Sequence, residues 1–212
     1  MKLQLALDTF GLEEALNLAE KVKNYVDIIE IGTPFILENG MEAVRCFRKK
    51  FPDKRILADT KIMDAGKLEA AAAFEAGADY ITVLAVTDRA TIEECLETAE
   101  KFGKKVVADM ICVDNIPKKT EELEAAGVDG IAVHTGVDQQ KRGRTPLDDL
   151  KIVKENCKRT SIFVAGGITL ATLPEYAALS PDVLIVGGGI GNAADPEKEA
   201  KLIYQKLQEY TV

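Results

Sequence analysis

Short apolar runs alternate with longer amphipathic segments along the whole chain, and this alternation limits the possible folds more than any other feature. About eight apolar runs are recognisable, and they begin at Leu3, Asp27, Arg55, Tyr80, Lys105, Gly130, Ser161 and Val183. Runs of this kind suit buried strands, and their regular exchange with helical segments is typical of repeated β–α units. The number of units predicts an α/β protein with a single (β/α)8 TIM barrel, and a doubly wound open sheet is the alternative.

The segments between the strands have helical periodicity, with charges gathered on one face as on a solvated helix surface. Gly77 and Gly127 follow two of these segments and predict left-handed helix C-caps before the chain returns to the sheet. The predicted helices span residues 12–23, 41–50, 68–76, 91–102, 118–126, 146–156, 171–179 and 196–209. No linker or change of composition interrupts the pattern, so one domain over residues 1–212 is expected.

Composition excludes several classes of function. The formal net charge of −8 and the pI of about 4.9 offer no basic footprint for nucleic acid. No apolar run reaches the roughly 20 residues of a membrane span, and the first residues do not form a secretory signal, so a cytoplasmic protein is expected. The four cysteines lack CxxC spacing, so the sequence indicates neither a zinc site nor a disulfide scaffold. The chain has one histidine, which excludes a metal site that needs two imidazole ligands from one chain.

Six polar residues stand where apolar runs end. In a parallel barrel the carboxyl ends of the strands meet on one face, where active sites lie, so these side chains should converge. Isolated charges are seldom buried without partners, and a cluster around a cation and a substrate explains them most economically. The six residues are Asp8, Glu30, Asp59, Lys61, Asp109 and His134.

This cluster predicts a Mg²⁺ site held by Glu30 and Asp59, because Mg²⁺ takes hard oxygen ligands and usually only one or two carboxylates. Lys61 would then stabilise a developing enediolate or enolate oxygen. His134 is the candidate for proton transfer, because an imidazole ordinarily titrates near pH 6.5. A metal-free relay of lysine and carboxylates is the alternative, and a structural role is the alternative for His134.

Two glycine-rich turns follow the last two predicted strands, at residues 164–168 and 186–190. Glycine lets backbone N–H groups approach a phosphate closely, and this position in TIM barrels often holds one. The turns therefore predict a phosphorylated substrate, with tight turns that bind nothing as the alternative. The predicted binding residues are Ala165, Gly166, Gly167, Gly187 and Gly188.

The sequence resembles the orotidine 5'-monophosphate decarboxylase superfamily, whose D-x-K-x-x-D motif is matched by Asp59, Lys61 and Asp64. The resemblance extends over essentially the whole chain. The segments that contain Glu30 and His134 resemble those of the metal-dependent branch of the superfamily. Members of that branch act through a Mg²⁺-stabilised 1,2-enediolate of a pentulose 5-phosphate. The resemblance also implies a homodimer in which Asp64 reaches the neighbouring subunit's site, while Asp8 and Asp109 orient hydroxyls or ordered water.

Within this branch, three positions separate two activities. Decarboxylases of 3-keto-L-gulonate 6-phosphate typically carry Glu, Arg and Thr where this chain has Asp109, Val137 and Ala165. The resemblance therefore implies a lyase, here an aldolase of formaldehyde assimilation that adds D-ribulose 5-phosphate to formaldehyde to give D-arabino-hex-3-ulose 6-phosphate. The decarboxylase remains one alternative, and a non-catalytic sugar-phosphate-binding barrel is an alternative of another class.

Overall fold

Eight parallel strands close into a barrel in the computed structural model, which describes residues 1–210. The strands pair in sequence order, and β8 closes the ring against β1, so the predicted TIM barrel is confirmed. Residues 211–212 of the predicted domain lie outside the described residues. The strands are β1 Lys2–Leu7, β2 Ile28–Ile31, β3 Arg55–Ile62, β4 Tyr80–Leu84, β5 Lys105–Asp109, β6 Gly130–His134, β7 Ser161–Ala165 and β8 Val183–Val186.

Helices follow every strand and cover the outside of the barrel. They are α1 Leu12–Val22, α2 Thr33–Asn39, α3 Met41–Lys50, α4 Gly66–Glu75, α5 Arg89–Phe102, α6 Ile116–Ala126, α7 Val137–Gln140, α8 Leu147–Asn156, α9 Leu173–Ala177, α10 Gly188–Gly191 and α11 Pro196–Gln208. None of the helices in the described part of the chain has the length and apolar character needed to cross a membrane. The glycines after α4 and α6 have positive φ of 106° and 87°, as predicted for Gly77 and Gly127.

Three short helices, α2, α7 and α10, were not predicted from the sequence. They follow β2, β6 and β8 directly, and each is too short to show a helical repeat of apolar residues. The helix predicted over residues 171–179 is also shorter in the structure, because Thr169 and Thr172 form a side-chain-bonded turn before α9. These differences lie at strand-to-helix junctions, which local turn chemistry determines.

Inside the barrel, an apolar layer lies below a polar layer. The lower layer consists of one inward side chain from most strands and includes Leu57, Val107 and Ala132. Because side chains alternate along a strand, the next inward position is two residues further on, where Asp59, Asp109 and His134 lie. The apolar layer therefore forms a floor, and the strand ends above it present the polar groups.

Four aspartates secure the opposite end of the barrel with one repeated arrangement. Each stands just before an even-numbered strand, and its carboxylate accepts the backbone N–H of the second residue of the preceding strand. The pairs are Asp27 with Leu3 at 2.9 Å, Asp79 with Ile56 at 2.9 Å, Asp129 with Val106 at 2.9 Å and Asp182 with Ile162 at 2.7 Å. The arrangement ties the strands together in pairs around the ring.

Candidate active site

A cavity of about 620 Å³ opens at the carboxyl ends of the strands. The apolar layer forms its floor, and the two glycine turns form part of its wall. All six polar residues predicted from the strand ends line it, together with the five predicted phosphate-binding residues. The strand-end residues are Asp8, Glu30, Asp59, Lys61, Asp109 and His134, and the turn residues are Ala165, Gly166, Gly167, Gly187 and Gly188.

A continuous chain of polar contacts lies directly above the apolar floor of the cavity. Lys61 Nζ lies 2.5 Å from Asp59 Oδ2 and 3.2 Å from Asp109 Oδ2. On its other side, Asp109 Oδ2 lies 2.9 Å from Nδ1 of His134. The second imidazole nitrogen, Nε2, is left available to a ligand in the cavity. A carboxylate that accepts from Nδ1 selects the tautomer in which Nε2 is the basic atom.

Burial alone would lower the pKa of Lys61, but the charges of Asp59 and Asp109 outweigh it and raise that pKa well above its usual value. Burial would likewise raise the pKa of Asp109, yet the hydrogen bond from His134 and the charge of Lys61 hold it below its ordinary value. Lys61 is therefore a cation and Asp109 an anion at neutral pH. The pair is fixed before any substrate arrives, as electrostatic stabilisation requires.

Glu30 is the carboxyl group whose charge is least favoured. Its burial and the charge of Asp59 raise its pKa to about 8, although Gln4 Nε2 donates to its Oε2 at 2.6 Å. Burial and the Asp59 charge also raise the pKa of Asp8, which lies half-buried at the end of β1. Three carboxyl groups, those of Glu30, Asp59 and Asp8, thus lie together on this side of the cavity, and the ammonium of Lys61 does not offset the cost of charging Glu30 and Asp8.

These residues fit a divalent cation. Within residues 1–210 no three carboxylate, imidazole or thiolate side chains form a ready-made metal site, but Mg²⁺ commonly uses only one or two carboxylates. Glu30 and Asp59 supply two such groups on neighbouring strands, and a cation between them would relieve the repulsion that raises the pKa of Glu30. Asp59 Oδ1 accepts one hydrogen bond, from Thr82, and retains a lone pair for a ligand.

The turn after β7 can be formed only by glycine. Gly166 has φ of 124°, and a Cβ atom there would lie 2.7 Å from the carbonyl oxygen of Thr135. Gly167 also has positive φ, 69°, and lies against the side chain of Gln140. The bare backbone of this turn lines the cavity together with Gly187 and Gly188, which follow the neighbouring strand β8, so a phosphate could approach main-chain N–H groups of both turns.

The rim of the cavity is apolar and exposed. Val137 and Leu37 line it, with 67% and 82% of their surfaces exposed. Asp64 does not line the cavity of its own chain; it is exposed and accepts from the N–H of Ala65 at 2.7 Å. The side chain of Asp64 is thus the one predicted catalytic group that lies outside the cluster.

Six polar cavity residues were missed by the sequence analysis: Gln4, Thr9, Thr33, Thr82, Gln140 and Thr169. Thr33 and Thr82 donate to the Asp59 carboxylate at 2.8 and 2.7 Å. Gln4 and Thr82 occupy inward positions of strands, and a polar residue between apolar neighbours was the available signal. Thr33 and Gln140 lie in the short helices α2 and α7, where no comparable pattern exists.

A sequence profile for the family described as orotidine 5'-phosphate decarboxylase / HUMPS matches residues 1–203. The chain belongs to this family. It is 47% identical over 207 residues to the 3-hexulose-6-phosphate synthase of Bacillus subtilis, covering 98% of this chain and 99% of that one. The family relationship explains why the motif predicted from Asp59, Lys61 and Asp64 lies on one barrel strand and its following loop.

Solved structures within the family agree with the barrel. The 3-hexulose-6-phosphate synthase of Salmonella typhimurium is 51% identical, with a TM-score of 0.97, and the match covers 99% of this chain and 100% of that one. The 3-keto-L-gulonate-6-phosphate decarboxylase of Vibrio cholerae is 26% identical, with a TM-score of 0.85 and coverages of 99% and 98%. The predicted membership and the enzyme class of a lyase are therefore confirmed.

Proposed function

We propose that the protein is a 3-hexulose-6-phosphate synthase, which joins D-ribulose 5-phosphate to formaldehyde. The observation that carries this proposal is the near-complete match to synthases at 47% and 51% identity, against 26% for the decarboxylase. Asp109 supports it further, since its carboxylate is engaged by His134 and Lys61 at the base of the cavity. Val137 leaves a small apolar space at the rim, which suits formaldehyde.

The glycine turns bind the phosphate of the substrate. Backbone N–H groups of Gly166, Gly167, Gly187 and Gly188 supply the donors, so the site needs no arginine there. Phosphate at this wall directs the carbonyl end of the pentulose towards Lys61 and His134. Holding the reacting carbon beside its base is itself a large contribution to the rate.

Proton abstraction is the first chemical step. His134 Nε2 takes a proton from C1 of the ketose, and the C–H electron pair forms the C1–C2 double bond of an enediolate. Asp109 stabilises the imidazolium that results, and the ammonium of Lys61 stabilises the negative charge on the enediolate oxygen. C1 then attacks formaldehyde, and the new alkoxide takes its proton from the imidazolium, which restores His134.

Glu30 and Asp59 would hold Mg²⁺, which when bound acidifies the C1 protons as a Lewis acid. Lys61 and the hydroxyls of Thr33 and Thr82 keep Asp59 in one orientation for that purpose. Asp8 orients substrate hydroxyls from the end of β1. Asp64 completes the site of a second copy of the chain, and a homodimer is therefore part of the proposal.

Formaldehyde consumption by the purified protein tests this function. With ribulose 5-phosphate and Mg²⁺, we expect rapid consumption and a hexulose phosphate product, and we expect excess EDTA to abolish both. Release of CO2 from 3-keto-L-gulonate 6-phosphate is measured in parallel. Decarboxylation without formaldehyde consumption would replace the synthase with the decarboxylase, and binding of ribulose 5-phosphate with neither reaction would indicate a non-catalytic barrel.

A further inference from the structure

Gln4 is a fully buried amide in β1, where it lies between the buried residues Leu3 and Leu5. Its register neighbours on the two flanking strands are Ile28 and Ile185, both of which belong to the apolar floor of the barrel. Its Nε2 donates to Glu30 Oε2 at 2.6 Å, between two buried side chains. Gln4 Oε1 has no hydrogen-bond partner among the described residues.

Stability alone does not account for an amide at this position. Burying an unpaired amide oxygen destabilises the fold, whereas an apolar side chain of the same shape would fill the floor without that cost. The hydrogen bond to Glu30 does have a geometric consequence. It occupies Oε2 and fixes the orientation of the carboxyl group, which leaves Oε1 of Glu30 for a ligand in the cavity.

We propose that Gln4 is a positioning residue for the cation, an inference that rests on the cation site of the proposed function. Gln4 acts through Glu30: it holds one carboxylate oxygen so that the other is directed to the ion. Residues that orient a metal ligand typically contribute about 10–100-fold to metal affinity.

Binding of Mn²⁺ alone, measured by electron paramagnetic resonance of the free ion, tests this without any turnover. Gln4→Met keeps the length and volume of the side chain but removes the donor, and we expect it to weaken Mn²⁺ binding by about 10-fold or more. Thr120→Val is the matched control, because its buried hydroxyl also lacks a partner among the described residues but lies on α6, away from the cavity. This control should bind Mn²⁺ like the wild type.

The result separates the two levels of the proposal. If the wild-type protein binds no Mn²⁺ or Mg²⁺, the cation site fails, and the role of Gln4 fails with it. If the wild type binds and Gln4→Met binds within twofold of it, only the role of Gln4 is overturned. Should Gln4→Met not fold, Gln4→Asn serves instead, because its amide is one methylene too short to reach Glu30 and should produce the same loss.

The variant Glu30→Ala, which lacks the proposed metal-binding carboxylate, tests whether Gln4 acts through Glu30. In Glu30→Ala, adding Gln4→Met should change the residual Mn²⁺ affinity by less than twofold, since there is no carboxylate left to orient. An equal loss in both backgrounds would contradict the proposed route. Thermal unfolding in EDTA confirms that each variant is folded before its affinity is compared.

Discussion

At the scale of a single residue, Lys61 shows how the backbone holds a proposed catalytic side chain in place. Its φ of 46° lies in the left-handed region, which costs a residue other than glycine about 1–2 kcal/mol. The register between β3 and β4 shifts at the same place, and the N–H of Lys61 donates to Thr82 Oγ1 at 2.9 Å. Strained backbone of this kind is retained where the surroundings fix it, here to bring the ammonium between Asp59 and Asp109.

Most of the site was predictable at this scale, because a charged residue after an apolar run is visible in the sequence. Asp59 and Lys61 were expected to converge with the other strand-end residues, and they do meet. The left-handed turn at Lys61 was not predictable, since no glycine marks it. Gln4 was missed for a different reason: one amide within a hydrophobic strand resembles a tolerated exception until its partner on another strand is known.

Glu124 gives a prediction about pH. Its Oε1 accepts the backbone N–H groups of Arg159, Thr160 and Lys158 at 2.6, 3.0 and 2.9 Å. These bonds lower its pKa from 4.5 to about 2. Because the folded-state pKa is depressed, the stabilisation is complete above about pH 4.5 and is lost as the pH falls towards 2.

We therefore expect Glu124→Gln to lower the free energy of unfolding by about 1 kcal/mol at pH 7, a value reduced for partial exposure. The difference from the wild type should shrink as the pH falls towards 2. Urea denaturation across this pH range measures it. Glu121→Gln, on the same helix, is the control, and a deficit that persists unchanged at low pH would contradict the account.

At the scale of elements, the boundaries of the strands follow from their apolar runs, and six of the eight begin at the predicted residue. The short helices after β2, β6 and β8 were not predicted, because each is too short to show a helical repeat of apolar residues. The four aspartates below the barrel were visible in the sequence, but their shared role was not. It depends on a neighbouring strand that is 20 to 24 residues distant in the chain.

Removing these aspartates should destabilise the barrel without changing its chemistry. We expect Asp27→Ala to cost about 1 kcal/mol and Asp79→Ala about 2 kcal/mol, because Asp79 also pairs with Arg48 and Lys104. Urea denaturation measures the loss, and turnover of the folded protein should be unchanged. Asp53→Ala is the control, because Asp53 is an exposed aspartate that precedes β3. Equal losses of stability in all three variants would contradict a specific role for the aspartates that bond the preceding strand.

At the scale of the whole molecule, the position of Asp64 outside its own cavity gives the proposed dimer a test. Asp64→Ala and Lys61→Ala should each be inactive alone, because each removes a group from every site. Mixed dimers would contain one intact site, built from Lys61 of one protomer and Asp64 of the other. Random exchange should therefore restore about a quarter of the wild-type activity.

The mixing experiment requires that subunits exchange, which differently tagged protomers can report. Co-purification of the two tags shows that mixed dimers are present. Mixed dimers without any recovered activity would show that Asp64 does not complete a neighbouring site. Full activity of Asp64→Ala by itself would remove Asp64 from the mechanism.

The central claim is that His134 takes a C1 proton from ribulose 5-phosphate to form an enediolate. Exchange of the C1 protons with D2O, followed by ¹H NMR in the absence of formaldehyde, isolates that step. With Mg²⁺ the wild-type protein should exchange a C1 proton readily, and His134→Gln should slow the exchange by about 10² or more while retaining its fold. Equal exchange rates in the two proteins, or no exchange in the wild type, would contradict the account.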